Sequence, residues 1–321
     1  MTRNAVELIV SILALVKDEI NIVQTSLIGS ILSNLLLVLG MCFFFGGVNR
    51  TEQHFNVTVA QTASSLLALA IGSLIIPTAF DLWSNRDATD LNRADDRGVA
   101  ELSRGTALIL LAVYASYLLF QLKTHSAMYN EPSQKVEKRK RSKKNEGDTI
   151  RAIAQMGAGS AATGASQHHQ SNLVPQQVED EEETPNLTLI GALVTLLCST
   201  VLVAFCAEFM VSGISAITCG SGAISPEFVG LILLPIVGNA AEHVTAVTVA
   251  IKDKMDLAIG VAIGSSMQIA LLVLPLMVVI GWIIGKDMTL YFDGFQIAVL
   301  FVTVLLVNYL IQDGKSRKLG L

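Results

Sequence analysis

The chain has 321 residues, of which 52% are hydrophobic and 15% charged, with a mean hydropathy of +0.56 and a formal net charge of −5. That composition excludes a soluble globular core and marks a polytopic membrane protein. The charges lie between apolar runs and in one central block, so the mild acidity belongs to loops and excludes a nucleic-acid binder.

A membrane-spanning helix needs roughly 20 apolar residues. Eight segments are predicted to enter the bilayer, at about 4–16, 26–46, 57–80, 106–122, 187–212, 226–251, 257–284 and 292–311. The first is short, because Lys17-Asp18-Glu19 closes it. It does not read as a secretory leader, since Glu7 interrupts the apolar run and no small-x-small cleavage site follows. The fourth is also brief and ends at Lys123.

Residues 123–186 are of a different composition. Nine Lys or Arg fall between Lys123 and Arg151, followed by a Gly/Ala/Ser/Gln-rich tract and the acidic run Glu179-Asp180-Glu181-Glu182-Glu183. Such a segment cannot bury a core and is expected to be a disordered loop. His168-His169 within it is read as solvated rather than as a metal site. The acidic run is a solvated charge block or, alternatively, a cation sensor or a contact for the basic run. The excess of Lys and Arg places this loop in the cytoplasm. Counting spans outward puts the acidic loop 81–105 on the opposite side, and returns Lys252, Lys254 and the Lys315/Arg317/Lys318 tail to the cytoplasm. Cys42, Cys198, Cys206 and Cys219 show neither disulfide nor zinc spacing and read as apolar filler.

A 38-residue stretch beginning at Arg3 occurs again, without gaps, 235 positions later at Gly238. The identities that hydrophobic bias does not produce are Asn4/Asn239, Glu7/Glu242, Lys17/Lys252, Asp18/Asp253, Gly29/Gly264 and Ser30/Ser265. Four predicted spans separate the two motif helices, so the second copy crosses in the opposite direction. The fold class expected is therefore all-α and polytopic, with two inverted-topology repeats, an arrangement that places a binding site at the bilayer midplane. The repeats divide the chain into 1–122, the loop 123–186 and 187–321. Comparing the two halves predicts one further helix at each end, so that the chain reads as a truncated gene model or splice form.

A charged residue at the centre of a membrane helix costs roughly 2.5–3.5 kcal/mol on insertion scales. Two such residues at equivalent places point to function. Asn4 and Glu7 are spaced i, i+3 and share a helical face, as do Asn239 and Glu242, with His243 beside them. Across the pseudo-two-fold they offer two carboxylates, two amide carbonyls and nearby hydroxyls. That is a hard-oxygen cluster suited to Ca²⁺, which takes 6–8 oxygen ligands. Pro235 and Gly238 should break the second motif helix and free carbonyls toward a cavity. Without a cation, two desolvated carboxylates of like charge hold protons, and bound Ca²⁺ expels them. Competition of Ca²⁺ and H⁺ for one site, with alternating access, is antiport. The chemistry identifies a proton-coupled cation site more firmly than it identifies the cation.

Several residues keep two readings. One Glu with Asn makes a structural interhelical hydrogen bond in many membrane proteins, but two at matched positions argue for a site. His243 is a neighbour or proton acceptor of the site, or simple packing. Gly29-Ser30 and Gly264-Ser265 allow close helix approach, while the hydroxyls of Ser30, Ser33, Ser265 and Ser266 and the amide of Gln268 are within the compass of an ion. Glu208 is an interfacial charge or part of the ion pathway. Glu242-His243 lacks the second His of a zinc-protease motif.

The motifs RNAVE (3–7), GSILSN (29–34), GNAAEH (238–243) and GSSMQI (264–269) resemble those of the cation/proton exchanger family of the calcium/cation antiporter superfamily, particularly fungal vacuolar calcium/proton exchangers. The resemblance implies eleven helices, a cytoplasmic acidic segment between the halves, and Glu7 and Glu242 binding Ca²⁺ and protons alternately. Asn4, Asn239, His243, Ser33 and Gln268 would lie in or beside that site. Arg3 stands where the family has Gly, which places a cation beside a site that should be anionic.

The expected activity is secondary-active Ca²⁺/H⁺ antiport into an acidic organelle, with the vacuolar membrane implied by the resemblance. It is not an enzyme, needs no cofactor, and has Ca²⁺, H⁺ and the lipid bilayer as partners, with a homo-oligomer left open. The alternatives are a transport-impaired fragment with a regulatory or assembly role and an exchanger of another cation such as Mn²⁺.

Overall fold

The computed structural model describes residues 4–48, 52–84, 96–129, 188–218, 224–312 and 314–317. Arg3, Cys219, the His168-His169 pair, the acidic run 179–183 and nearly all of the central loop lie outside the described residues. The chain divides into two units, Met1–Lys138 with Cys198–Leu321, and Arg139–Leu197. The described part of the second unit is residues 188–197, the start of one helix.

Besides a single turn at Ser126–Tyr129, the described helices are α1 (Ala5–Val16), α2 (Ile20–Gly47), α3 (Val57–Ser84), α4 (Asp96–Leu119), α5 (Leu189–Thr218), α6 (Pro226–Gly238), α7 (Ala240–Ile251), α8 (Met255–Ile284) and α9 (Gly294–Ile311). Six of these are long and apolar enough to cross a membrane, or seven if α6 and α7, bent by 52° at Asn239, form one broken span. The eight predicted segments are thus all helical, but α1, with 12 residues, falls short of a full crossing. The segment expected as one span at 226–251 is two helices, because Pro235 and Gly238 interrupt it. The loop expected over 81–105 is helical from Asp96 onward. There α4 carries its charges out of the apolar zone, and Arg104 lies over the Trp282 ring at 5.2 Å. Pro77 sits within α3 without ending it.

The described fold is all-α apart from one short two-stranded ribbon. Strand β1 (Glu52–His54) pairs antiparallel with β2 (Lys315–Arg317), in the register Glu52↔Arg317, Gln53↔Ser316 and His54↔Lys315. Both segments follow helix ends and satisfy their backbone groups through each other.

The duplication is visible in backbone detail. Both α1 and α7 end in the same turn. Asp18 and Asp253 each have φ 66°, in the left-handed region that a short polar side chain tolerates. The Glu19 amide bonds Ala14 O at 2.9 Å, and the Lys254 amide bonds Val249 O at 3.0 Å. Asp18 N bonds Leu15 O and Asp253 N bonds Ala250 O. These paired bonds close the helix ends as Schellman motifs and account for the repeated Lys-Asp. Equivalent π-helical turns also interrupt α2 at Ser33–Val38 and α8 at Ile269–Val273. Such turns change the side-chain register partway along a helix and are common at functional sites.

The two copies run in opposite directions. Asp18, beyond the end of α1, pairs with Lys286 at 2.9 Å, and Gln24 bonds Thr289 O, so this turn joins the α8–α9 loop. Asp253, beyond the end of α7, instead meets Gln53 of β1, and Asp256 accepts the Asn56 amide. The ends of α1 and α7 therefore lie at opposite faces of the helical body, and their starts meet between them.

Candidate cation site

Asn4 and Asn239 occupy the positions just before α1 and α7, where an Asn ordinarily caps its own helix. Neither does so here. The Asn4 amide crosses to the other repeat, donating to Ser265 O at 3.2 Å and to Gln268 Oε1 at 3.3 Å. One helical turn further on, Glu7 and Glu242 are each 8% exposed, and Asn4 and Asn239 are 3% and 0% exposed. The two carboxylates are near enough for their charges to repel.

Ser265 joins the halves. Its hydroxyl faces Asn4 Oδ1 at 2.6 Å and both Glu242 oxygens at 3.3 Å, and it accepts from Asn34 Nδ2 at 3.3 Å. A buried hydroxyl has one proton to give, so it donates to Asn4 or Glu242 in turn. Among the described residues, Glu7 Oε2, Asn34 Oδ1 and both polar atoms of Asn239 are buried without a hydrogen-bond partner. Unmatched polar atoms at such depth are costly, and the three oxygens among them call for a cation or water. No cluster of three or more His, Cys, Asp or Glu side chains exists among the described residues. An ion here would be held by two carboxylates completed with amide and hydroxyl oxygens.

A partly open cavity reaches Glu7, bordered also by Ser11, Ser26, Ser30, Met210 and Gly238. Ser11 lies one turn beyond Glu7 toward the end of α1, and Ser26 one turn before Ser30 toward the start of α2. The cavity therefore runs from Glu7 toward the Asp18–Lys286 face. Its wall depends on a close helix crossing. A Cβ on Gly29 would collide with Leu231 O and come within 2.6 Å of Pro235 Cγ, and one on Gly230 would strike the Thr25 hydroxyl. The duplicated Gly264 makes no such contact, so the packing reading holds for Gly29 and not for its mate.

The structure thus brings Asn4, Glu7, Asn239, Glu242, Ser30, Ser265 and Gln268 to one region between the repeats. His243 Nε2 lies 3.3 Å from Ser33 Oγ, linking the second motif to the first copy's GSILSN stretch. Two predicted residues stand apart. Ser266 meets only backbone carbonyls, Ala262 O at 3.0 Å in its own helix and Ile31 O at 3.4 Å in the first repeat, and Glu208 is exposed on α5. Four residues near the site escaped the sequence argument. Asn34 is matched by apolar Ile269 in the second copy, and Ser11 and Ser26 are matched by Ala246 and Val261, so the duplication does not flag them. Tyr114, which faces Gln268 from α4, lies outside the repeat altogether. Helical spacing of Ser11 from Glu7 was the one available signal.

An inverted pair of helical units with a buried carboxylate from each defines the class: a polytopic membrane protein of transporter type. The chain belongs to the sodium/calcium exchanger protein family, whose model matches residues 1–123 and 191–320. It is 42% identical to the vacuolar calcium ion transporter of Cryptococcus neoformans var. grubii, over 98% of this chain and 58% of that protein. It is 43% identical to the vacuolar calcium ion transporter of Schizosaccharomyces pombe, over 98% of this chain and 64% of that one. The chain thus spans less than two thirds of the length of either. Its fold is similar to the solved structure of native YfkE, with a TM-score of 0.68 and 28% identity over 98% of this chain and 74% of that chain. A second structure, of the selenium-substituted Ca²⁺/H⁺ antiporter protein YfkE, aligns with a TM-score of 0.64 at 29% identity, over 97% of this chain and 75% of that chain.

Proposed function

We propose that this chain is a secondary-active Ca²⁺/H⁺ antiporter in which Glu7 and Glu242 bind Ca²⁺ and protons alternately. The observation that carries this reading is the burial of both glutamates between inverted repeats, beside acceptor oxygens that have no protein partner. Hard oxygen ligands suit Ca²⁺. Two carboxylates in a low-dielectric site release their protons to a divalent cation and regain them when it leaves. Asn4, Asn239, Asn34 and Ser265 supply neutral oxygens and hold the halves together, with His243, Ser33 and Gln268 alongside.

The names of the fungal relatives and of the antiporter YfkE support calcium as substrate and the vacuolar membrane as location. The chemistry needs no cofactor and makes no covalent change, so the protein acts as a transporter rather than an enzyme. By charge bias, the Lys and Arg residues of the central segment support a cytoplasmic β1–β2 face.

Proton-gradient-driven uptake of radiolabelled Ca²⁺ into vesicles tests this reading, comparing the chain with Glu7→Gln and Glu242→Gln. Normal transport by either single variant ends the shared-site mechanism. Mn²⁺ competition in the same assay reads cation preference. Co-purification with a longer family member and no uptake would favour an assembly role.

A further inference from the structure

A cavity runs from Glu7 toward the Asp18–Lys286 face, and at the opposite face a buried polar contact holds the end of the Glu242-bearing helix. Gln53, on β1, is fully buried, and its amide donates to Ala250 O at 3.1 Å and to Asp253 Oδ1 at 3.0 Å. It thereby caps the last turn of α7 and holds the left-handed aspartate that ends it. Its own carbonyl oxygen is buried without a partner and presses on Gly46, where a Cβ would collide with it. The pseudo-symmetric aspartate at the opposite face, Asp18, is held instead by an exposed ion pair with Lys286. The copies share one turn geometry, but a sealed contact closes one and a solvent-facing contact the other.

We infer that Gln53 is a latch on the Glu242-bearing helix: it holds α7 closed at the β1–β2 face while the site is reached from the Asp18–Lys286 face, and it releases when access alternates. Two features of the contact fit a latch better than a permanent cap. The orphaned carbonyl leaves the amide half satisfied, so the buried contact is only marginally favoured over a hydrated one. Gln53 also sits on a short ribbon rather than in a helix, and pairs across with Ser316, so movement of the tail strand reaches the end of α7. The role rests on the alternating-access reading above, but its test does not need transport.

With the four native cysteines replaced, Ser11→Cys reports the open route and Ala246→Cys its pseudo-symmetric equivalent. Each is labelled in the full chain in vesicles with a membrane-impermeant thiol reagent applied from either face. Gln53→Leu, which keeps the volume but removes the amide, is expected to raise Ala246→Cys labelling from the β1–β2 face by about fivefold and to lower Ser11→Cys labelling from the other, as loss of a hydrogen bond to a charged group shifts a two-state balance. Gln53→Glu, which sets like charge against Asp253, should shift labelling the same way. Unchanged labelling at both positions, or a rise at both together, overturns the latch, the second outcome revealing a merely structural cap. A labelling shift without Ca²⁺ uptake by the unsubstituted chain would retain the latch and refute the antiport reading instead.

Discussion

The hydroxyl of Ser265, in the second repeat, lies 2.6 Å from the carbonyl oxygen of Asn4, in the first, and 3.3 Å from the Glu242 carboxylate. One side chain thus couples both copies of the motif. Ser265→Ala should raise the KM for Ca²⁺ about tenfold, the loss expected for a hydrogen bond involving a charged group. Ser266→Ala, one residue away, should leave KM near the starting value, because that hydroxyl meets only the backbone carbonyls of Ala262 and Ile31 and none of the motif side chains. Concentration-dependent uptake by the two variants distinguishes a bridging serine from a general need for hydroxyls on α8.

Replacement of either glutamate by Gln removes one of the two buried carboxylates that the described residues bring to the site and should cut uptake by about 100-fold or more, since a divalent cation would then leave a net charge buried. Binding of Ca²⁺ by the purified protein, followed calorimetrically, should be lost in parallel. Retained binding with lost uptake would place that glutamate on the proton limb alone.

Asn34 tests what the duplication could not flag. Asn34→Leu removes both its bond to Ser265 and its unpaired buried oxygen, and should weaken Ca²⁺ binding by about 5- to 20-fold, in keeping with one lost polar contact at the site. The protein's thermal unfolding midpoint should hold or rise, because an orphaned acceptor leaves with the side chain.

Gly29 and Gly264 are identical in sequence and opposite in packing. Gly29→Ala meets Leu231 O and Pro235 and should destabilise the protein by about 1–3 kcal/mol, typical of overpacking. Gly264→Ala, with nothing within 4 Å of the added carbon, should be neutral or slightly stabilising through helix propensity. Thermal unfolding in detergent reads both.

Asp18→Val and Asp253→Val each place a β-branched residue at φ 66° and should cost about 1–3 kcal/mol by backbone strain. Asp18→Asn keeps the left-handed turn and loses only the exposed pair with Lys286, so its effect on unfolding should be within about 1 kcal/mol.

Much of this architecture is written in side-chain chemistry along the chain. Apolar runs long enough to cross a bilayer announce themselves locally, and the Asn-x-x-Glu and Lys-Asp identities expose an inverted duplication because helical spacing and span parity follow from the linear order. Proline and glycine before Asn239 likewise foretell a broken helix. Local patterns could not show which member of each duplicated pair is used, because packing partners come from distant segments. Gly29 is pressed by α6 and Gly264 is not, Ser265 meets the motif side chains while Ser266 meets only backbone carbonyls, and Glu208 stays outside the group. The β1–β2 ribbon joins segments more than 260 residues apart, and the burial of Gln53 against the end of α7 joins segments 200 residues apart, with no periodicity to betray them. Periodicity and charge bias are one-dimensional, whereas complementarity between the two halves exists only once they are folded against each other.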